Sequence, residues 1–125
     1  DKPLLEQVNR LMHPMVKEYI LEKKERLETE GQIGALFIEA ALLIEDGYEE
    51  IVDELWYIYA SEEARGQRLR AFRGYSEEKI RDIFKQQLSD EEFRKHCSVV
   101  IDNSAGLEAA YEQIAKCMKG ILPAC

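Results

Sequence analysis

Four arginines, Arg65, Arg68, Arg70 and Arg73, fall within nine residues of a chain whose formal net charge is −8. A guanidinium offers forked donors that match phosphate geometry, so a gathered set could neutralise phosphate charge. The competing reading is a solvated helix balanced by Glu62, Glu63, Glu77 and Glu78. Few other groups could do chemistry. His13 stands before Pro14, and a lone histidine is more often structural than catalytic. Glu39 sits inside an apolar run, and Glu45 lies beside Asp46 as a loop acid. Asn103 and Gly106 frame a short Asn-Ser-x-Gly turn, which is also ordinary loop chemistry. The three cysteines, Cys97, Cys117 and Cys125, are odd in number and show no CxxC or Cys/His metal spacing. They read as free thiols in a reducing cytoplasm, with no metal site.

The composition excludes several classes. Hydrophobic residues make up 46% and charged residues 34% of 125 residues, an ordinary globular balance and the length of one domain, 1–125. Net negative charge repels nucleic-acid phosphates, so no nucleic-acid partner is expected. The uninterrupted apolar stretches, such as Ala40 to Ile44, are far too short for a membrane span. No basic start leads into an apolar run, so no signal peptide is read. The chain begins with Asp1 rather than Met, which points to residues upstream of it.

These groups need elements to hold them. Apolar residues from Leu4 to Ile20 recur at helical spacing, interrupted by Pro14. The pattern predicts a helix to about Leu11, a turn at His13-Pro14, and a second helix to Glu30, stopped by Gly31. Three nearly continuous apolar runs, at 35–40, 55–60 and 98–102, predict parallel strands covered on both faces. Glu49 to Val52 reads as a short helical turn. Ser61 opens a helix that carries the arginines to Arg73, and Gly74 ends it. Ser76 caps 77–87 and Ser89 caps 90–96, each with acids in the first turn. Gly106 leads into a last helix to about Lys119. Strands alternating with helices make an α/β layer, and a three-strand sheet leaves an exposed edge.

In this order the residues resemble the dephospho-CoA kinase family. Residues 38–56, IEAALLIEDGYEEIVDELW, resemble its core segment, and 11–16, LMHPMV, its His-Pro turn. Residues 67–69, QRL, resemble the opening of its lid. GYSEE at 74–78 and Gln87-Leu88 resemble its lid helices, and VIDNSAG at 100–106 resembles its closing strand and Asn-containing loop. One motif alone is weak; five in order, over nearly the whole chain, are fairly specific.

The resemblance implies the C-terminal portion of a P-loop kinase fold, a three-layer α/β/α arrangement with a parallel sheet and a helical lid at about 61–87. It implies ATP-dependent phosphorylation of the ribose 3′-hydroxyl of dephospho-CoA, the last step of coenzyme A synthesis, with ATP and Mg2+. It assigns Arg68 and Arg73 to the lid as catalytic groups, and Asn103 and Gly106 to the adenine side. It places His13, Glu39 and Glu45 near the acceptor substrate, Glu39 where acids organise magnesium and water around a phosphate. The sequence departs from the pattern in several places. Glu39 replaces Asp, Ala41 replaces Pro, and Ile44 replaces Phe. Phe72 and Ile83 stand where lid arginines are expected, with Arg73 and Arg81 nearby as substitutes. No GxxxxGK[ST] occurs, and the family's catalytic Asp would lie upstream of residue 1, so the fragment alone is expected to be inactive. Two alternatives stay open: a degenerate nucleotide- or CoA-binding paralogue, and another small nucleotide kinase of the same fold.

Overall fold

A computed structural model describes residues 2–31 and 34–121. Its order is α1 (Lys2–Glu30), a 3-10 turn (Tyr48–Glu50), β1 (Trp56–Tyr59), α2 (Glu62–Arg73), α3 (Glu77–Gln86), α4 (Asp90–His96), β2 (Val99–Asp102) and α5 (Leu107–Met118). Cys125 lies outside the described residues.

The helix starts follow local chemistry. The hydroxyls of Ser61, Ser76 and Ser89 accept the N–H of Ala64, Lys79 and Glu92 at 3.1–3.2 Å, each satisfying a donor left free at a helix start. Glutamates and aspartates occupy all three first turns, where the helix dipole favours them. Gly74, at φ 62°, ends α2 in the left-handed conformation that glycine adopts without strain.

The sheet is a parallel pair with Trp56 opposite Val99 and Tyr59 opposite Asp102. Two further bonds lengthen the ladder, Ser98 N–H to Leu55 C=O at 3.0 Å and Asn103 N–H to Tyr59 C=O at 2.7 Å. The α/β class, the parallel pairing and the positions of these two strands are as the sequence predicts. Tyr48, Leu55, Ile80, Ile101 and Ala110 are the buried hydrophobic residues among those described, and Ile101 is the most enclosed.

Two expectations are corrected. The run at 35–40 is not a strand; it is irregular and leads into turns at 41–47. A strand exists only through a neighbour's hydrogen bonds, and among the described residues β1 pairs with β2 alone. Apolar content marks a segment that could pair, not one that has a partner. The second correction concerns α1, which runs unbroken through Pro14 where a turn was expected. Proline fixes φ near the helical value, so its cost is one missing N–H and crowding of the preceding turn. Pro14 and Arg10 are both exposed, so water can satisfy the carbonyl that Pro14 leaves unpaired.

Ile101→Ala should lower the unfolding free energy by about 2–5 kcal/mol, the usual cost of emptying an aliphatic core site. Phe72→Ala, at a side chain 84% exposed, should stay within about 0.5 kcal/mol. Urea titration of the two variants checks this; equal costs would refute the assigned core.

Candidate functional site

Parallel strands bring their carboxyl ends to one side, and in open α/β sheets ligands bind outside those ends. β1 ends there at Tyr59 and β2 at Asp102. Ser61 follows β1 and starts α2, while Asn103 to Gly106 follow β2 and lead into α5. The arginine helix and the Asn-containing loop therefore leave the same edge of the sheet.

They are joined there. Arg68 donates through Nη2 to the Asn103 carbonyl at 2.5 Å, with the Ser104 carbonyl at 3.4 Å. The Ser61 N–H donates to Ser104 Oγ at 3.0 Å. Ser104 N–H donates to Asp102 Oδ1 at 2.9 Å, a turn that an aspartate makes with the backbone two residues on. That bond, with the Ser104 hydroxyl, holds the Asp102 carboxyl below its usual range. From α5, Gln113 grips the Asp102 backbone at both its N–H and its C=O, at 2.8 and 2.9 Å. Sequence reasoning missed Ser61, Ser104 and Gln113 as parts of this loop. The Asp-Asn-Ser order signals the turn, but nothing local signals Gln113.

Beside this loop a cavity of about 380 Å³ opens between the end of β1 and helices α2, α3 and α4, lined by Tyr57, Tyr59, Glu62, Arg65, Phe84 and Gln87 among others. Arg65 caps β1 through the Ala60 carbonyl at 3.1 Å, reaches Gln87 at 2.8 Å, and lies over the Phe84 ring at 4.6 Å. Below it, Tyr57 stacks on Phe93 at 4.7 Å and donates to Asp90 Oδ1 at 2.9 Å. Arg94 bonds the other oxygen of Asp90 at 2.8 Å. Burial, then the bond to Asp90, pushes the Tyr57 phenol up to about 12.

The remaining arginines differ in state. Arg70 forms a two-pronged pair with Glu77 across the α2–α3 turn, one prong at 2.9 Å. Arg73 and Arg81 are exposed and make no hydrogen bond or ion pair among the described residues. Phe72, where a lid arginine was expected, points to solvent.

Of the residues expected on the acceptor side, His13 is brought to the turn that carries Glu45, and Glu39 makes no hydrogen bond or ion pair with either among the described residues. Glu39 and Glu45 are both exposed, Glu39 in the irregular segment and Glu45 in the turn after it. His13 is half-buried and meets Asp46 at 3.1 Å, while Lys17 donates to the Asp46 carbonyl at 2.8 Å. These contacts fasten α1 to the turn that carries Glu45. Gly47, at φ 74°, closes that turn. No group of three His, Cys, Asp or Glu among the described residues could hold a metal ion. Among those residues no helix is long and apolar enough to cross a membrane.

Comparison with known proteins gives one consistent result. The family model "CoaE: Dephospho-CoA kinase" matches residues 1–109. A dephospho-CoA kinase of Dehalococcoides mccartyi is 36% identical over 104 residues, covering 83% of this chain and 52% of that protein. One from Carboxydothermus hydrogenoformans is 36% identical over 107 residues, covering 86% and 52%. The crystal structure of TT1252 from Thermus thermophilus superposes with a TM-score of 0.80 at 27% identity, over 99% of this chain and 62% of that one. The chain spans about half the length of the curated relatives it matches.

The raised phenol has a stability consequence. A tyrosine near 10 when unfolded and about 12 when folded stabilises the fold fully below pH 10, and that contribution is lost as pH rises toward 12. In an alkaline absorbance titration, two of the six tyrosines, Tyr57 and Tyr48, should ionise late, and Tyr57→Phe should reduce the late amplitude by one tyrosine. A late amplitude undiminished in Tyr57→Phe would refute the assignment.

Proposed function

This chain belongs to the dephospho-CoA kinase family, and from that premise we propose that it carries the lid and nucleotide-side loop of an ATP-dependent dephospho-CoA kinase. The reaction moves the terminal phosphoryl group of ATP to the ribose 3′-hydroxyl of dephospho-CoA. The observation that carries this reading is the meeting of the arginine helix with the Asn103 loop at the carboxyl end of the parallel pair.

On this reading the roles divide by exposure and bonding. Arg73, exposed and unpaired among the described residues, is the lid guanidinium that meets developing phosphate charge, with Arg81 as a second candidate. The hairpin of α2 and α3, about 61–87, is the lid; it closes over ATP and excludes water. Asn103 and Gly106 sit on the adenine side, where Gly106 at φ 113° lets the backbone turn into α5. His13, Glu39 and Glu45 belong to the acceptor side, with His13 holding the turn through Asp46. Magnesium accompanies ATP in phosphoryl transfer and is held largely by phosphates and water. The exposed Glu39 and Glu45 belong to no group of three possible metal ligands among the described residues, so no step is assigned to it. A cytoplasmic location accompanies the reading, supported by the free thiols of Cys97 and Cys117. Burial and nearby Glu49 raise the Cys97 thiol and keep it protonated.

A second reading, a nucleotide- or CoA-binding paralogue without transfer, is favoured by one observation. Phe72 replaces an expected lid arginine and is 84% exposed. The sequence upstream of Asp1 separates the two, since a GxxxxGK[ST] loop supports transfer and its loss supports binding alone.

The 125-residue chain alone should form no CoA from ATP, magnesium and dephospho-CoA, as read by mass. Joined to an upstream GxxxxGK[ST] segment it should form CoA, and Arg73→Ala should then lower kcat on the order of 10²-fold. CoA made by the short chain would overturn the role given to the missing loop. An extended chain carrying that loop yet making no CoA would leave the binding reading in front.

A further inference from the structure

Arg68 was expected to be a phosphate-binding lid arginine, but its bonds are of another kind. Its Nη2 donates to two loop carbonyls, those of Asn103 at 2.5 Å and Ser104 at 3.4 Å. The Asn103 N–H is held as well, by the Tyr59 carbonyl at 2.7 Å. The backbone of this residue is thus fixed on both sides, from β1 and from α2. The next residue is fixed by Ser61 and the preceding one by Gln113. The Asn103 carboxamide, by contrast, has no hydrogen-bond partner among the described residues. A half-buried amide with a clamped backbone and a free head is arranged to read another molecule, since its two donors and its oxygen are left to pair.

We infer that Arg68 is a positioning residue: it clamps the 102–104 loop so that the Asn103 carboxamide is presented to the adenine ring of the nucleotide. This deepens the kinase reading and rests on it for the identity of the ligand. A guanidinium suits the task because its fork is planar and stiff, so holding the carbonyls costs little side-chain entropy. A charged donor on a neutral carbonyl also makes a stronger bond than a neutral one. The clamp places the lid's first helix and the nucleotide loop in one unit, so any closing movement begins beyond Arg68, toward the Gly74 turn.

The test uses the chain as it stands. Hydrogen exchange of the Asn103 to Gly106 amides should accelerate about tenfold or more in Arg68→Ala, with Arg68→Lys falling between it and the parent. Amides of β1 and β2 should keep their protection, which separates a freed loop from a misfolded chain. Loop exchange unchanged by Arg68→Ala overturns the clamp. The second arm titrates labelled protein with adenosine and, separately, with AMP, following the backbone amide signals of residues 102–106, and in the parent also the Asn103 side-chain signals. Adenosine carries no phosphate, so a direct Arg68–phosphate contact cannot act through it. Arg68→Ala should weaken both ligands by a similar factor, about tenfold, as should Asn103→Ala. The double variant should be no worse than either single one, because Arg68 acts through Asn103. Loss confined to AMP, or losses that add in the double variant, overturns the inference. If adenosine binds nowhere near Asn103, the adenine-side reading of the loop fails, and with it the presenting role; the exchange arm still decides the clamp by itself.

Discussion

Two parallel strands cannot be joined by a tight turn, and most of this molecule follows from that constraint. The chain leaves β1 at Tyr59 and must return to start β2 at Val99 on the same side. The crossover contains α2, α3 and α4. It forces the arginine helix to begin at the carboxyl end of β1, the edge where β2 releases the Asn103 loop. Ser61 serves both demands. Its hydroxyl caps α2 and its N–H binds the Ser104 hydroxyl, so a single residue starts the helix and fixes the loop beside it.

Legibility in the sequence tracked the range of the interactions. The three serine caps and the Gly74 stop depend on a few consecutive residues and were read correctly, and the two strands read from composition are the two that have each other as partner. The segment at 35–40 has the composition of a strand but needs a distant partner, which composition does not report. Pro14 was read as a break because proline disfavours the helix interior; whether the helix tolerates it depends on solvent at Arg10, which a linear pattern does not reveal. At the site, the neighbourhood of Arg68 and Asn103 is legible as two motifs of one family. Their contact is not, because a carbonyl acceptor 35 residues away leaves no mark in residue types.

The uneven burial has a similar origin. Leu4, Leu5, Val8, Leu11, Met12, Met15, Val16 and Tyr19 repeat at helical spacing in α1, yet all are exposed. The helix is attached chiefly by polar contacts, with Lys17 and Lys24 donating to the carbonyls of Asp46 and Ile51 at 2.8 and 2.9 Å and His13 meeting Asp46. Lysine stems reach far, so such ties need no close approach of helix to sheet. The ties converge on the segment around Tyr48, itself one of the buried residues. Its phenol is raised by burial and by Asp46, and so stays neutral inside.

A chain of net charge −8 can still favour an anion at one place, and the partners of the arginines determine where. Arg70 and Arg94 each face a carboxylate, Glu77 and Asp90, and each pair is close to neutral as seen from a distance. Arg68 faces carbonyls, which orient the guanidinium without cancelling its charge. Arg73 and Arg81 face solvent. Positive potential is therefore kept at Arg68 and at Arg73, and reduced where Glu77 lies beside Arg70 and Arg81 or Asp90 beside Arg94. Within a Debye length of about 8 Å at physiological salt, that local difference outweighs the net charge of the rest of the molecule. An anion is favoured locally beside α2, next to the loop that Arg68 holds in place.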